Sequence, residues 1–373
     1  MTNAPQTTAI LSPIPARLAR LRDVLRQRQL DAILISHPDN RRYLSGFTGS
    51  SGWLLISADQ ALLATDFRYY DQVVLESPDF ALVQIRQKFA DLLRGMIEQA
   101  GARRIGFEAD HAPYDSVQEW CEAVPDCEWA PTKGLVIELR ALKDASELAA
   151  MRVAIALADE ALAQALLQMR PGMTELEVSW IIESYMRTHG AEGVAFELIV
   201  AGGPHGARPH ARASDRPLRA GEPIVIDMGA RLNGYCSDLT RTFCLGQPNE
   251  PERFWEVYNT VLRAQTAAEA ALRPGMTGQE GDAVARDLIT AAGYGEAFGH
   301  GLGHGVGLAV HEEPRLSRVN LSPLVAGSLV TVEPGIYLPG WGGVRIEDVV
   351  LITDSGVEVL TRAPKEPILR VDL

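Results

Sequence analysis

Two aspartates on either side of a tight turn are the first residues that could do chemistry. Asp227 closes the apolar run Ile224–Ile226, and Asp238 follows Asn233-Gly234, a dipeptide that favours a two-residue hairpin turn. If the turn pairs 232 with 235, then 227 pairs with 240, and alternation puts 238 on the same face as 240 and 227. The two carboxylates become diagonal neighbours, their backbones about 7–8 Å apart, and could share a pair of divalent cations. A bulge near Gly229 would break this register. Glu333 follows the apolar run 329–332, and Glu347 follows Val344-Arg-Ile346. A lone buried acid needs only a hydrogen-bond partner. Four gathered in one site could not all ionise without cations.

Most of the eight histidines lie between 205 and 311. The segment Gly299–Glu312, with glycine at 299, 301, 303, 305 and 307, is too glycine-rich for a helix and suits a closely approached strand edge. It is neither the helical zinc motif H-E-x-x-H nor the dinucleotide fingerprint. His304 reads as a metal ligand. His210 and His311 read as catalytic or substrate-binding groups, whereas His300 is open between a substrate contact and a structural role. His37, His111, His189 and His205 carry only an ordinary structural reading.

These groups need elements to hold them. Up to about Trp129, short apolar runs (32–36, 53–57, 61–65, 81–85 and 104–107) alternate with helical patterns, as in an α/β domain. A helix over 15–29 would bury Leu18, Leu21 and Leu25 and expose Arg17, Arg20, Arg22 and Arg26. Ala130–Gly134 reads as a turn-rich join, 135–140 as a strand, and 144–168 as a long helix. Beyond the join, Arg170-Pro-Gly-Met-Thr174 recurs as Arg273-Pro-Gly-Met-Thr277, each between long helical segments. That points to duplication. Each copy is followed, at a similar distance, by a pair of acids: Asp227 and Asp238 after the first, Glu333 and Glu347 after the second.

A length of 373 residues implies two domains, and 46% hydrophobic with 22% charged residues is an ordinary globular balance. A formal charge of −13 excludes a basic nucleic-acid footprint. No apolar run is long enough to span a membrane, and the N-terminal stretch does not read as a signal peptide. Cys121, Cys127, Cys236 and Cys244 form no C-x-x-C pair and read as reduced thiols, which places the protein in the cytoplasm.

Five blocks together resemble the ligand blocks of the pita-bread (M24) metallopeptidases: Ile226–Gly229, Ser237–Phe243, Gly299–Glu312, Val332–Tyr337 and Gly343–Asp348. They occur in order across about 140–363. The resemblance implies an α/β creatinase-like N-terminal domain (1–134) before a duplicated, pseudo-twofold α+β pita-bread catalytic domain (135–373). It implies Asp227, Asp238, His304, Glu333 and Glu347 as ligands of two divalent ions; of these, Glu333 is the best candidate for a catalytic proton shuttle. His210 and His311 map onto the catalytic-cleft histidines, and Tyr337 and Arg345 onto positions that support the ligands. The oxygen-rich donor set favours manganese, with cobalt, zinc or iron as substitutes.

Arg42–Gly52 and Thr65–Tyr70 are similar to aminopeptidase P, which implies an Xaa-Pro aminopeptidase acting on small peptides with proline second. His311-Glu-Glu-Pro-Arg315 is instead similar to prolidases, where an arginine at that position holds a dipeptide carboxylate. Xaa-Pro dipeptidase is therefore the alternative. A non-catalytic pita-bread binding module, or metal-free creatinase-like hydrolysis, fits poorly with five retained ligands. Substrate contacts are expected from His300, His311 and Arg315, and a homodimer or tetramer from the family.

Overall fold

The computed structural model describes residues 12–370, so residues 1–11 of the N-terminal stretch read for a leader lie outside the described residues. Two compact units divide at Arg140/Ala141.

In the first unit, six strands lie in the order 81–85, 61–66, 53–57, 32–35, 104–108, 128–132. The 32–35 strand runs antiparallel to 53–57 and parallel to 104–108. The apolar runs become strands: Leu, Ile and Val of 32–35, 53–57, 61–66 and 104–108 are buried in the sheet, whereas 81–85 is an edge strand whose residues are half-buried or exposed. Two expectations need correction. Residues 135–140 are a helix, not a strand: Leu135, Val136, Leu139 and Arg140 are buried at helical spacing. The Arg140 guanidinium donates to Asn40 Oδ1 at 2.7 Å, so this helix packs within the first unit. Arg17, expected to be exposed on the helix Ile14–Gln27, is buried. Its guanidinium lies 4.4 Å from the Tyr43 ring centroid and donates to Tyr43 O at 2.8 Å. Burial of the charge is thus offset by a charge-assisted bond and the ring's negative face.

The second unit is built twice over. Helices Ala145–Leu166 and Glu175–Thr188 precede strands Ile199–Gly202, Pro223–Met228 and Leu239–Leu245; helices Pro251–Ala271 and Gly278–Ala291 precede Gly303–Gly305, Leu329–Val332 and Asp348–Ile352. One buried cluster comes almost wholly from the first set and another from the second. The repeated pentapeptide does the same local work in each. Gly172 and Gly275 adopt φ of +92° and +86°, which lets the chain turn between the two helices at little steric cost. Thr174 and Thr277 then cap the second helix, closing a reciprocal capping box with Glu177 and Glu280. Each threonine also bridges to an equivalent downstream proline, Pro217 or Pro323.

The hairpin register holds. Asn233 and Gly234 both have positive φ, 50° and 78°, as a type I′ turn requires. Leu232 faces Tyr235 and Asp227 faces Thr240, so no net bulge intervenes at Gly229.

Replacing Thr277 with alanine should cost about 1 kcal/mol of stability, and Thr277→Ser much less. The same ordering should hold at Thr174. Urea midpoints that do not separate serine from alanine would show that the caps are not stabilising these helices.

Candidate metal centre

The backbone of the hairpin delivers Asp227 and Asp238 to one face, and the second repeat brings its acids to meet them. One ligand atom each from Asp238, His304 and Glu347 lie within 4.8 Å of one another. Asp227 and Glu333 line the same cavity, of about 560 Å³. His304 Nε2 lies 3.1 Å from Glu333 Oε1 and 3.7 Å from Asp238 Oδ2. The glycine-rich segment contributes the short strand Gly303–Gly305. A Cβ at Gly303 would stand 1.9 Å from Thr331 O, so only glycine lets the strand carrying His304 lie this close to the one leading to Glu333.

Several side chains hold the acids in place. Thr240 Oγ1 donates to Glu347 Oε2 at 2.6 Å, and Glu347 N donates to Thr240 O at 3.0 Å. Arg345 donates to Asp227 Oδ2 at 2.5 Å and to the Tyr337 hydroxyl at 2.7 Å. His300 Nε2 meets the same hydroxyl at 2.9 Å. Thr331 Oγ1 donates to Glu333 Oε1 at 3.1 Å. Arg241, 1% exposed, donates to Glu347 O at 2.6 Å and to Asp348 Oδ1 at 2.7 Å. Thr240, Thr331 and Arg241 were not singled out from sequence. Thr240 could have been, since alternation puts it on the face shared by Asp227 and Asp238.

The electrostatics ask for cations. Burial, and then the charges of Glu347, Asp227 and Glu333, push the Asp238 carboxyl well above its ordinary value. Glu347 is pushed well above for the same reasons, burial first and then Glu333 and Asp227. Burial also raises Asp227, although the Arg345 charge opposes it. Asp227 Oδ1 is buried without a hydrogen-bond partner among the described residues. His304 Nδ1 lies 3.0 Å from Gly305 O. That contact leaves Nε2 as the ring nitrogen that faces Glu333 and Asp238. The donor set therefore fits divalent metal, hard and oxygen-rich with one imidazole.

Around this cluster the cavity wall carries His210, His300, His311 and Arg315. His311 is exposed, with its ring centroid 4.3 Å from that of His304. Burial, then the His304 and Arg315 charges, lowers its pKa, so it is a neutral imidazole at pH 7. Arg315 faces His304 across the strand pair, its side chain 42% exposed and its Nε 4.0 Å from Glu313. The remaining wall includes Phe196, Ile199 and Val310, which are apolar, and the pair Arg212–Glu197 at 3.1 Å. None of these five was singled out from sequence. They lie mostly on loops, which carry no periodic signal.

Comparison with known proteins agrees with this architecture. The family model "Metallopeptidase family M24" matches residues 149–354, and "Creatinase/Prolidase N-terminal domain" matches 17–142. An uncharacterised peptidase of Bacillus subtilis is 40% identical, over 95% of this chain and 99% of its own. The Xaa-Pro dipeptidase from Bacillus anthracis superposes with a TM-score of 0.93 at 42% identity, over 96% of this chain and 100% of that one. The X-Pro aminopeptidase from Thermotoga maritima gives 0.88 at 39%, over 95% and 100%. The fold is thus a creatinase-type N-terminal domain followed by a duplicated pita-bread domain.

Manganese(II) added to metal-stripped protein should raise its melting temperature, and by more at pH 7 than at pH 5. Asp238 and Glu347, raised in the folded state, carry no penalty below the ordinary carboxylate range of about 4. They destabilise the metal-stripped protein progressively as pH rises through their folded values. A shift that is absent, or larger at pH 5, would count against chelation by this cluster.

Proposed function

The chain belongs to metallopeptidase family M24, and from that premise we propose that it cleaves the bond before a proline in the second position of short peptides, using two divalent ions held by Asp227, Asp238, His304, Glu333 and Glu347. The observation that carries this reading is the convergence of four buried or half-buried carboxylates and one outward-facing imidazole nitrogen on a single cavity. Two divalent cations would neutralise four carboxylates, and manganese suits the oxygen-rich donors best. When bound, such a pair supplies a water activated at neutral pH and a Lewis acid for the scissile carbonyl.

The protein's own groups divide the remaining work. Glu333 is less buried than Asp238 and Glu347, and its Oε1 faces the His304 imidazole. It takes the proton released as water attacks and returns it to the proline nitrogen as that nitrogen leaves. His210 and His311 stand exposed in the cavity wall and donate to the carbonyl oxygen as negative charge develops there. One such donor is typically worth about 3–4 kcal/mol. Arg345 and Tyr337 keep Asp227 oriented, and burial holds the Tyr337 hydroxyl proton, its pKa pushed up to about 12. Phe196, Ile199 and Val310 offer an apolar surface for the pyrrolidine ring.

Substrate length turns on Arg315. Its presence in the wall beside His304 and His311 favours an Xaa-Pro dipeptidase, in which the guanidinium holds the product-side carboxylate. The N-terminal domain does not argue against this, since it is matched as a creatinase/prolidase type. The second reading is an Xaa-Pro aminopeptidase. It draws support from the roominess of the cavity and from Glu313, which already lies near the guanidinium. Family resemblance further favours a homodimer or tetramer, and the four free cysteines favour a cytoplasmic location.

Cleavage of Gly-Pro and of Gly-Pro-Xaa in manganese separates the two readings. For a dipeptidase, Arg315→Ala should raise KM for Gly-Pro by roughly tenfold or more, the scale of a charged hydrogen bond. Tripeptide turnover that exceeds dipeptide turnover, and that is indifferent to Arg315→Ala, would establish the aminopeptidase. Glu333→Ala should abolish turnover of both peptides; full activity with metal bound would refute its assignment.

A further inference from the structure

Glu175 is 0% exposed, yet among the described residues it belongs neither to the metal centre nor to a salt bridge with Lys or Arg. It is the residue after the cap Thr174, and its carboxylate is directed at one segment, 202–214. Gly202 N donates to Oε1 at 2.9 Å. Ser214 N and Oγ donate to Oε2 at 3.1 and 2.6 Å, and His205 Nδ1 lies 2.8 Å from Oε2. The backbone adds to this, since Glu175 N donates to Arg216 O and Leu176 N to Ser214 O. A buried carboxylate so surrounded by donors from one loop fixes both ends of that loop.

That loop carries His210. The imidazole is exposed in the cavity wall and makes no side-chain hydrogen bond among the described residues. Its place is therefore set by its backbone. Between the Glu175 anchors, the loop is touched at Pro209, whose carbonyl accepts from Arg345 Nη1 at 3.3 Å.

The second repeat solves the same problem by other means. Gly278 follows Thr277 as Glu175 follows Thr174. A Cβ there would lie 2.1 Å from Arg315 O, so the helix start packs directly on the strand that carries Arg315 and follows His311. In both halves the helix N-terminus sets a wall of the cavity, through a carboxylate in the first and through bare backbone in the second.

We propose that Glu175 is a positioning residue for His210, holding the 202–214 loop so that the imidazole stands where the reacting carbonyl needs a donor. The proposal rests on the reading of His210 given above. The test is a double-variant cycle on the manganese-loaded enzyme with Gly-Pro. Glu175→Gln, Ser214→Ala and His210→Ala are measured alone, and the first two are each combined with His210→Ala. Bound manganese and melting curves are recorded for every variant.

Glu175→Gln should lower kcat by at least about tenfold, part of what a lost oxyanion donor costs. KM should change by no more than about twofold and bound manganese should stay the same. In the His210→Ala background Glu175→Gln should have little further effect, because residues acting through one another are not additive. Ser214→Ala removes the hydroxyl donor while leaving the carboxylate and the backbone N–H that meets it in place. It should show the same non-additivity with a smaller drop, and it decides the matter if Glu175→Gln does not fold. Losses that multiply with that of His210→Ala would overturn the proposal, as would wild-type kcat in both anchor variants. A His210→Ala enzyme with full turnover would remove the reading of His210 itself, and the proposal with it.

Discussion

Mutual repulsion among acids taken out of water governs the second unit. Asp227, Asp238, Glu333 and Glu347 line one cavity, and burial raises three of them. Arg345 ion-pairs with Asp227, and the His304 imidazole, against the effect of burial, holds Glu333 down at about 2, which leaves Asp238 and Glu347 to whatever positive charge enters. The structure meets that cost with rigidity beneath the site. Arg241 spends its guanidinium on backbone carbonyls and Asp348, and Thr240 ties the hairpin to Glu347. Buried polar networks of this kind are stable only when nearly every member is satisfied. Asp227 Oδ1 is an exception among the described residues, on a side chain that lines the cavity.

Duplication explains why the supports come in pairs without being identical. Both repeats use a glycine turn, a threonine cap and a glutamate that closes the capping box. They diverge one residue later, at Glu175 and Gly278, where one half needs to reach a loop and the other must let a strand in. The helical frame was kept while the walls it braces became different.

Much of the centre was legible because it rests on periodic or strongly local signals. Asn233-Gly234 sets a turn, the turn sets the register, and the register places Asp227 opposite Thr240. The first unit's strands were legible as apolar runs. What escaped was decided by tertiary contact. Residues 135–140 hold the β-prone pair Val136-Ile137, but burial of Leu135, Val136 and Leu139 on one side favours a helix. Arg17 lies on a helix whose other arginines are exposed or half-buried, and only the proximity of Tyr43 distinguishes it. Phe196, Glu197 and Arg212 approach the cavity along irregular backbone, where neighbours in sequence say little about neighbours in space.

The allocation of donors between the repeats has a consequence for descent. Each repeat supplies one pair of acids, so a single copy is half a receptacle, unable to enclose cations by itself. Two copies of such a half, set face to face, would gather the same number of acids. His304, which has no counterpart among the acids of the first repeat, makes the two halves of the cavity chemically unlike.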